Sequence, residues 1–109
     1  MTTTTASATD QPTREEIDLG AVLHALSDPT RLQIIAALDS RPEACPTGSF
    51  DVPVSKSTCT HHFKVLREAG VVSQRPEGTA RLNTLRRDDL DARFPGLLDA
   101  ILEGTARSS

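Results

Sequence analysis

The chain has no tryptophan and no tyrosine, and only three phenylalanines among its 109 residues. Aromatic side chains normally carry much of a core's buried area, so this core has to be aliphatic. Cys45 and Cys59 are the only cysteines. Two are too few for a disulfide scaffold, and their spacing matches no zinc finger or redox motif. No stretch approaches the roughly 20 apolar residues that a membrane span needs. The start, MTTTTASATDQPTREE, has neither a basic opening nor an apolar signal segment, which predicts a cytoplasmic protein. A Gly-rich phosphate loop and a strained nucleophile turn are both missing, and nucleophiles are sparse, which counts against an enzyme. What is present is 37% apolar residues, enough for one compact core and, at this length, for one domain.

The net charge of −3 conceals an asymmetry. Between Pro53 and Arg87 lie seven basic residues (Lys56, Lys64, Arg67, Arg75, Arg81, Arg86 and Arg87) against Glu68 and Glu77, a local balance of +5 that leaves −8 for the rest. A basic stripe on an acidic chain is the footprint of a module that offers one face to phosphates. The alternative is an ordinary solvated surface, and composition does not separate the two.

Residues 1–12 are rich in Thr, Ser and Ala without periodicity and read as a disordered tail. Thr13 to Glu16 fits a capping box, and Ile17, Ala21, Val22, Ala25 and Leu26 recur at helical spacing, predicting a first helix to about Leu26. Asp28 and Pro29 are a cap and a first helical residue for a second helix ending near Asp39. From Ser40 to Pro53, three prolines and a glycine leave room for at most one short helical turn. Ser55 caps a helix from Lys56 to Ala69 that stops at Gly70, with Cys59, Phe63 and Leu66 behind and Lys56, Ser57, Thr60, His61 and Lys64 in front. Val71–Arg75 and Ala80–Leu85 read as strands joined by Pro76-Glu77-Gly78-Thr79. Pro95 divides the C-terminal region into a short turn and an apolar helix over Gly96 to Glu103. The domain spans 13–104, with a tail at 105–109.

Helix, helix, broken helix, basic amphipathic helix, hairpin and apolar helix, in that order, make a mainly α winged helix-turn-helix with a small β-hairpin (α-α-α-α-β-β-α). Such a fold puts one slim helix into a major groove about 12 Å wide and a hairpin wing beside it. The runs Leu26-Ser27-Asp28-Pro29-Thr30-Arg31-Leu32 and Val54-Ser55-Lys56-Ser57-Thr58-Cys59-Thr60-His61-His62-Phe63-Lys64-Val65-Leu66-Arg67-Glu68-Ala69-Gly70-Val71-Val72 resemble the ArsR/SmtB family of bacterial repressors, a likeness covering about Ile17 to Leu102. The resemblance implies a homodimeric repressor on an imperfect palindrome of double-stranded DNA. It assigns operator contacts to Lys56, Ser57, Thr60 and His61, with Lys64 near the backbone; Arg75 and Arg81 on the wing are expected on phosphates. Of the adjacent histidines, about 100° apart on a helix, His61 is expected to face the groove and His62 the domain.

Dimerisation is expected through the first and last helices, at Ile17, Leu97, Leu98, Ile101 and Leu102. The family's metal-sensing members carry a Cys-x-Cys pair near the third helix, or His and carboxylate pairs on the terminal helices. Here Cys45 stands alone and the last helix has no His, so neither a metal site nor a cofactor is expected and the effector is unidentified. Cys59 reads as core filler, with a redox switch as the alternative, and His24 as a helix-terminal residue. A competing function is a protein-interaction module whose DNA binding is weak or dependent on a partner.

Overall fold

Cap chemistry sets most element limits in the computed structural model, which describes residues 11–41, 45–47 and 54–108. The predicted first helix is in fact two pieces. A single 3-10 turn covers Arg14–Glu16, with Glu16 Oε1 accepting from the Thr13 N–H at 2.9 Å. Ile17 then becomes extended, and Asp18 caps α1, Leu19–Ala25, by accepting from the Ala21 N–H at 3.0 Å. Asp favours caps over helix interiors because its carboxylate competes for backbone N–H groups, and the break turns Ile17 into the core.

Helix α2 spans Pro29–Asp39, as predicted. Asp28 Oδ2 accepts from the Thr30 and Arg31 N–H groups at 2.9 and 3.1 Å, and Pro29 sits where no N–H is needed. The broken third helix predicted between Ser40 and Pro53 falls mostly outside the described residues. Where described, Cys45–Pro46 is strand β1 instead of a helical turn. Helix α3 spans Lys56–Ala69, with Ser55 Oγ accepting from the Thr58 N–H at 3.2 Å. It ends at Gly70 with φ +87°, and the Val71 N–H reaches back to the Leu66 carbonyl at 3.0 Å. A Cβ on Gly70 would lie 2.7 Å from Ile17 Cγ1, so both the backbone angle and the space demand glycine.

Strands β2, Val72–Glu77, and β3, Ala80–Leu85, form the hairpin, and the sheet order is β1-β3-β2. Glu77 pairs with Ala80, so the turn is only Gly78-Thr79, and Pro76 and Glu77 extend the strand beyond the predicted Arg75. Pro76 is tolerated because β2 is an edge. The Gln74 N–H points outward to the Gln11 side chain at 3.0 Å, and two residues on, the proline nitrogen faces the same outer side, away from β3. Gln11 also donates to the Gln74 carbonyl at 2.7 Å, and Arg86 donates to the Pro12 carbonyl at 2.6 Å. Gln11 and Pro12, expected in a loose tail, are thus bonded to the wing and its base; residues 1–10 of that tail lie outside the described residues.

Helices α4, Arg87–Arg93, and α5, Leu97–Ser108, are separated around Pro95, as predicted, with Gly96 at φ +84°. Helix α5 runs past the predicted end at Glu103 and past the domain boundary at 104. The core gathers Val22, Ile34, Ile35, Leu38, Phe63, Leu66, Val71, Val72 and Leu90 from all layers. It also takes in Ile17 and Leu98, 1% and 2% exposed within one protomer. Their predicted place on a dimer seam is therefore corrected. Ile17 is turned in under Gly70, and Leu98 lies on the inward side of α5, so neither offers surface to a second copy.

Candidate nucleic-acid interface

Helix α3 divides cleanly along its length. Cys59, His62, Phe63, Leu66 and Ala69 recur at spacings of three and four and are buried. Lys56, Ser57, Thr60, His61 and Lys64 are exposed, so the structure places all five predicted contact residues of this helix on its outer side. It also separates the histidines as expected, His61 outward and His62 inward. Thr60 is already partly engaged, because its hydroxyl donates to the Lys56 carbonyl at 3.1 Å, which leaves its oxygen free to accept. Ser57 Oγ lies 3.3 Å from Ser55 Oγ beside the cap.

The buried side of α3 is tied to α2 by polar groups. Arg31 is buried and donates through Nε to the Ala25 carbonyl at 2.6 Å, and its Nη1 lies 3.0 Å from His62 Nδ1. A guanidinium only donates, so in this contact His62 Nδ1 accepts, and His62 Nε2 lies 4.0 Å from Asp28 Oδ2. Burial pushes the Asp28 carboxyl upward, but the Arg31 N–H, the Arg31 charge and His62 together hold it below the usual carboxylate range. The cap of α2, a buried arginine and α3 form one joint. The contacts of Arg31 were not foreseen, although Arg31, Ile34, Ile35 and Leu38 stand at i, i+3, i+4 and i+7, spacing that marks all four as inward.

A second polar network fixes the wing. Gln74 and Asn83 face each other across the hairpin on its inner side, and Gln74 Nε2 donates to Asn83 Oδ1 at 2.8 Å. Arg67 of α3 donates to Gln74 Oε1 at 2.7 Å, and Asn83 Nδ2 donates to Thr47 Oγ1 at 3.0 Å. Buried amides need such partners, and here satisfying them locks helix, hairpin and the segment after β1 together. Their sequence signal was alternation: Val72, Gln74, Asn83 and Leu85 share the face that points inward.

The same register separates the two wing arginines. Arg81 pairs with Pro76 and so shares the Gln74/Asn83 face, beside α3. Arg75 pairs with Leu82 on the opposite face and lies 3.8 Å from Glu77. Arg86 and Arg87 do not belong to the basic surface at all. Arg86 Nε bonds Asp89 at 2.9 Å, and Arg87 reaches Asp99 at 2.8 Å and Asp39 at 3.5 Å. Asp89 is held below the usual carboxylate range first by the hydrogen bond from Arg14 and then by Arg86, with burial opposing. Lys56, Lys64 and Arg81 form no ion pair among the described residues.

Cys59 is a free thiol in the core, and burial pushes its pKa up, so it is poorly activated for redox chemistry. Among the described residues, no three His, Cys, Asp or Glu side chains converge to hold a metal, and no helix is long and apolar enough to cross a membrane.

A family model described as a helix-turn-helix domain matches residues 26–75, from the end of α1 into the wing. An uncharacterized HTH-type transcriptional regulator of Bacillus subtilis, YceK, is 33% identical over 82 residues, which cover 73% of this chain and 82% of that protein. The chain belongs to the ArsR/SmtB family of winged helix-turn-helix regulators. The Mycobacterium tuberculosis HTH-type transcriptional regulator Rv2034 is 41% identical over 61 residues, covering 56% of this ArsR-type chain and 57% of its own. The crystal structure of M. tuberculosis Rv0081 superposes with a TM-score of 0.56 at 28% identity, over 80% of this chain and 91% of that one. The ArsR/SmtB assignment makes the protein a DNA-binding transcriptional regulator, a kind that is not enzymatic.

Proposed function

We propose that the protein is a homodimeric repressor that occupies an imperfect palindromic operator and excludes the transcription machinery from it. The observation that carries the reading is the outer side of α3. It sets Lys56, Ser57, Thr60, His61 and Lys64 on one exposed strip, with Arg81 on the adjoining face of the wing. Lys56, Ser57, Thr60 and His61 read base edges and nearby phosphates, while Lys64, Arg81 and, from the far side of the hairpin, Arg75 hold the backbone. Two copies present two such helices to successive major grooves about 34 Å apart.

The dimer seam is built from α5 and α1. Leu97, Ile101 and Leu102 of α5 are only partly covered, and Leu19 and Leu23 of α1 are 44% and 47% exposed, the large apolar residues most open to solvent among the described residues. Leu19 and Leu23 replace Ile17 and Leu98 in that role. Footprinting of the purified protein on genomic fragments, combined with sizing by light scattering, tests both halves. A protected palindrome and a dimer are the expected results. Leu23→Glu/Ile101→Glu should give a folded monomer that no longer protects it. A wild-type monomer at micromolar concentration, or fragments bound without sequence preference, would refute the proposal.

A further inference from the structure

Arg31 stands in the inward row of α2 with Ile34, Ile35 and Leu38, the charged member of a row that is otherwise aliphatic. An apolar side chain of similar volume would fill that place without stripping water from a guanidinium, so packing alone does not account for an arginine there. The guanidinium does what an apolar group cannot, which is to join three helices in fixed directions. Its Nε donates to the carbonyl of Ala25, the last residue of α1, at 2.6 Å, and its Nη1 donates to His62 Nδ1 of α3 at 3.0 Å. The Arg31 backbone N–H is itself held by the Asp28 cap at 3.1 Å. Arg31 and His62 are both buried. His62 adjoins His61, so a side chain anchored on the inner side of α3 sits one residue from the exposed strip of Lys56, Ser57, Thr60, His61 and Lys64.

We infer that Arg31 and His62 are positioning residues: they fix the rotation of α3 about its own axis and thereby set how sharply the protein tells its operator from other DNA. The inference rests on the proposed reading of bases by the outer side of α3. Side chains reach about 5–6 Å from a helix axis, so a rotation of about 10° displaces them by roughly 1 Å. A hydrogen bond to a base edge does not survive that displacement, since its range is only about 2.7–3.2 Å. Contact with a phosphate does survive, because a lysine charge on a flexible stem follows its partner. Phe63 and Leu66 hold α3 against the core, but apolar burial is non-directional and resists separation more than rotation. Loss of the joint therefore removes discrimination and leaves electrostatic affinity in place.

Arg31→Met and His62→Leu, which remove the bond between α2 and α3, are compared with His62→Asn, whose amide oxygen stands in for Nδ1 as the acceptor. Fluorescence anisotropy is measured with the full chain on the footprinted duplex and on a scrambled duplex of equal length, across a range of salt. The readout is the ratio of the two affinities, because the same folded molecules bind both duplexes and partial unfolding of a variant lowers both alike. Arg31→Met and His62→Leu should each lower that ratio about tenfold, the worth of one base contact, with scrambled affinity per folded molecule and salt slope unchanged. His62→Asn should keep most of it. In the free protein, Arg31→Met should shift the amide NMR signals of α3 from Ser57 to Lys64. A wild-type ratio in both Arg31→Met and His62→Leu, or an equal loss in His62→Asn and His62→Leu, would overturn the inference while leaving the reading of bases by α3 intact. A wild-type protein that prefers neither duplex would sink that reading instead; unmoved α3 amides would then overturn the positioning too, and shifted ones would sustain it.

Discussion

The two sides of α3 are made from the same fourteen residues and obey opposite rules. The inner side is dense with partners: Phe63 and Leu66 are in the core, His62 is held by Arg31, and the helix end is closed over Ile17 by a glycine. The outer side has few. Lys56 and Lys64 stand without ion pairs among the described residues, and Thr60 bonds only its own helix. Packing makes the inner side intolerant of change, while the outer side is available because folding does not consume it. A chain that spent its basic residues on internal pairs, as Arg86 and Arg87 do here, would have nothing left to offer phosphates.

Leu66→Ala should break this division most severely. A fully buried leucine leaves a cavity when truncated, and a loss of about 3 kcal/mol is expected in denaturant unfolding, with operator affinity recovered by the fraction that stays folded. Lys56→Ala/His61→Ala should do the reverse. Stability should stay within about 0.5 kcal/mol, while operator binding by fluorescence anisotropy weakens by on the order of 2 kcal/mol. If the double variant kept full affinity at moderate salt, the outer side of α3 would not be the reading surface.

Arg81→Ala against Arg86→Ala sharpens the contrast at a finer scale. Arg81→Ala should weaken every sequence alike and lower the slope of log affinity against log salt by about one. Arg86→Ala should leave that slope alone and instead cost about 1 kcal/mol of stability, since it removes bonds to Asp89 and the Pro12 carbonyl. The smallest effect expected is acid sensitivity. Asp28 and Asp89 are both held below the usual carboxylate range, so their contribution is complete above the unfolded value, about 3.9, and is lost as pH falls through the lower folded values. Thermal melting of the wild type should therefore decline below about pH 4. Asp28→Asn/Asp89→Asn should start lower and decline less steeply.

Much of this was legible in the chain. Asp28-Pro29, Ser55 and Gly70 mark helix ends through local chemistry, because a cap depends on a side chain and the backbone a few residues away. The split of α3 followed from periodicity, and with it the opposite fates of His61 and His62. Legibility failed where a partner lay far along the chain. Ile17 and Leu98 carry the same apolar signal whether they meet their own core or a second copy. The basic stripe counted Arg86 and Arg87 as surface because the Pro12 carbonyl that Arg86 bonds and the Asp39 and Asp99 carboxylates that Arg87 bonds come from other parts of the chain. Pro76 reads as turn until the strand is known to be an edge, and Gln11 reads as tail until its amide is seen pairing that edge.

By itself, then, the sequence determined the order of α2, α3, the hairpin and the C-terminal helices, the limits set by Asp28, Ser55 and Gly70, and which residues of α3 turn outward. These depend on helical period and short-range hydrogen bonds, both of which are properties of neighbouring residues. Only the tertiary structure decided that Arg31 clamps His62, that Gln74 and Asn83 bind the wing to Arg67, and that Arg81 faces α3 while Arg75 faces away. Each of these depends on strand register or on contacts between groups many residues apart. A shift of one residue in register would exchange the two faces of the hairpin with no change in composition.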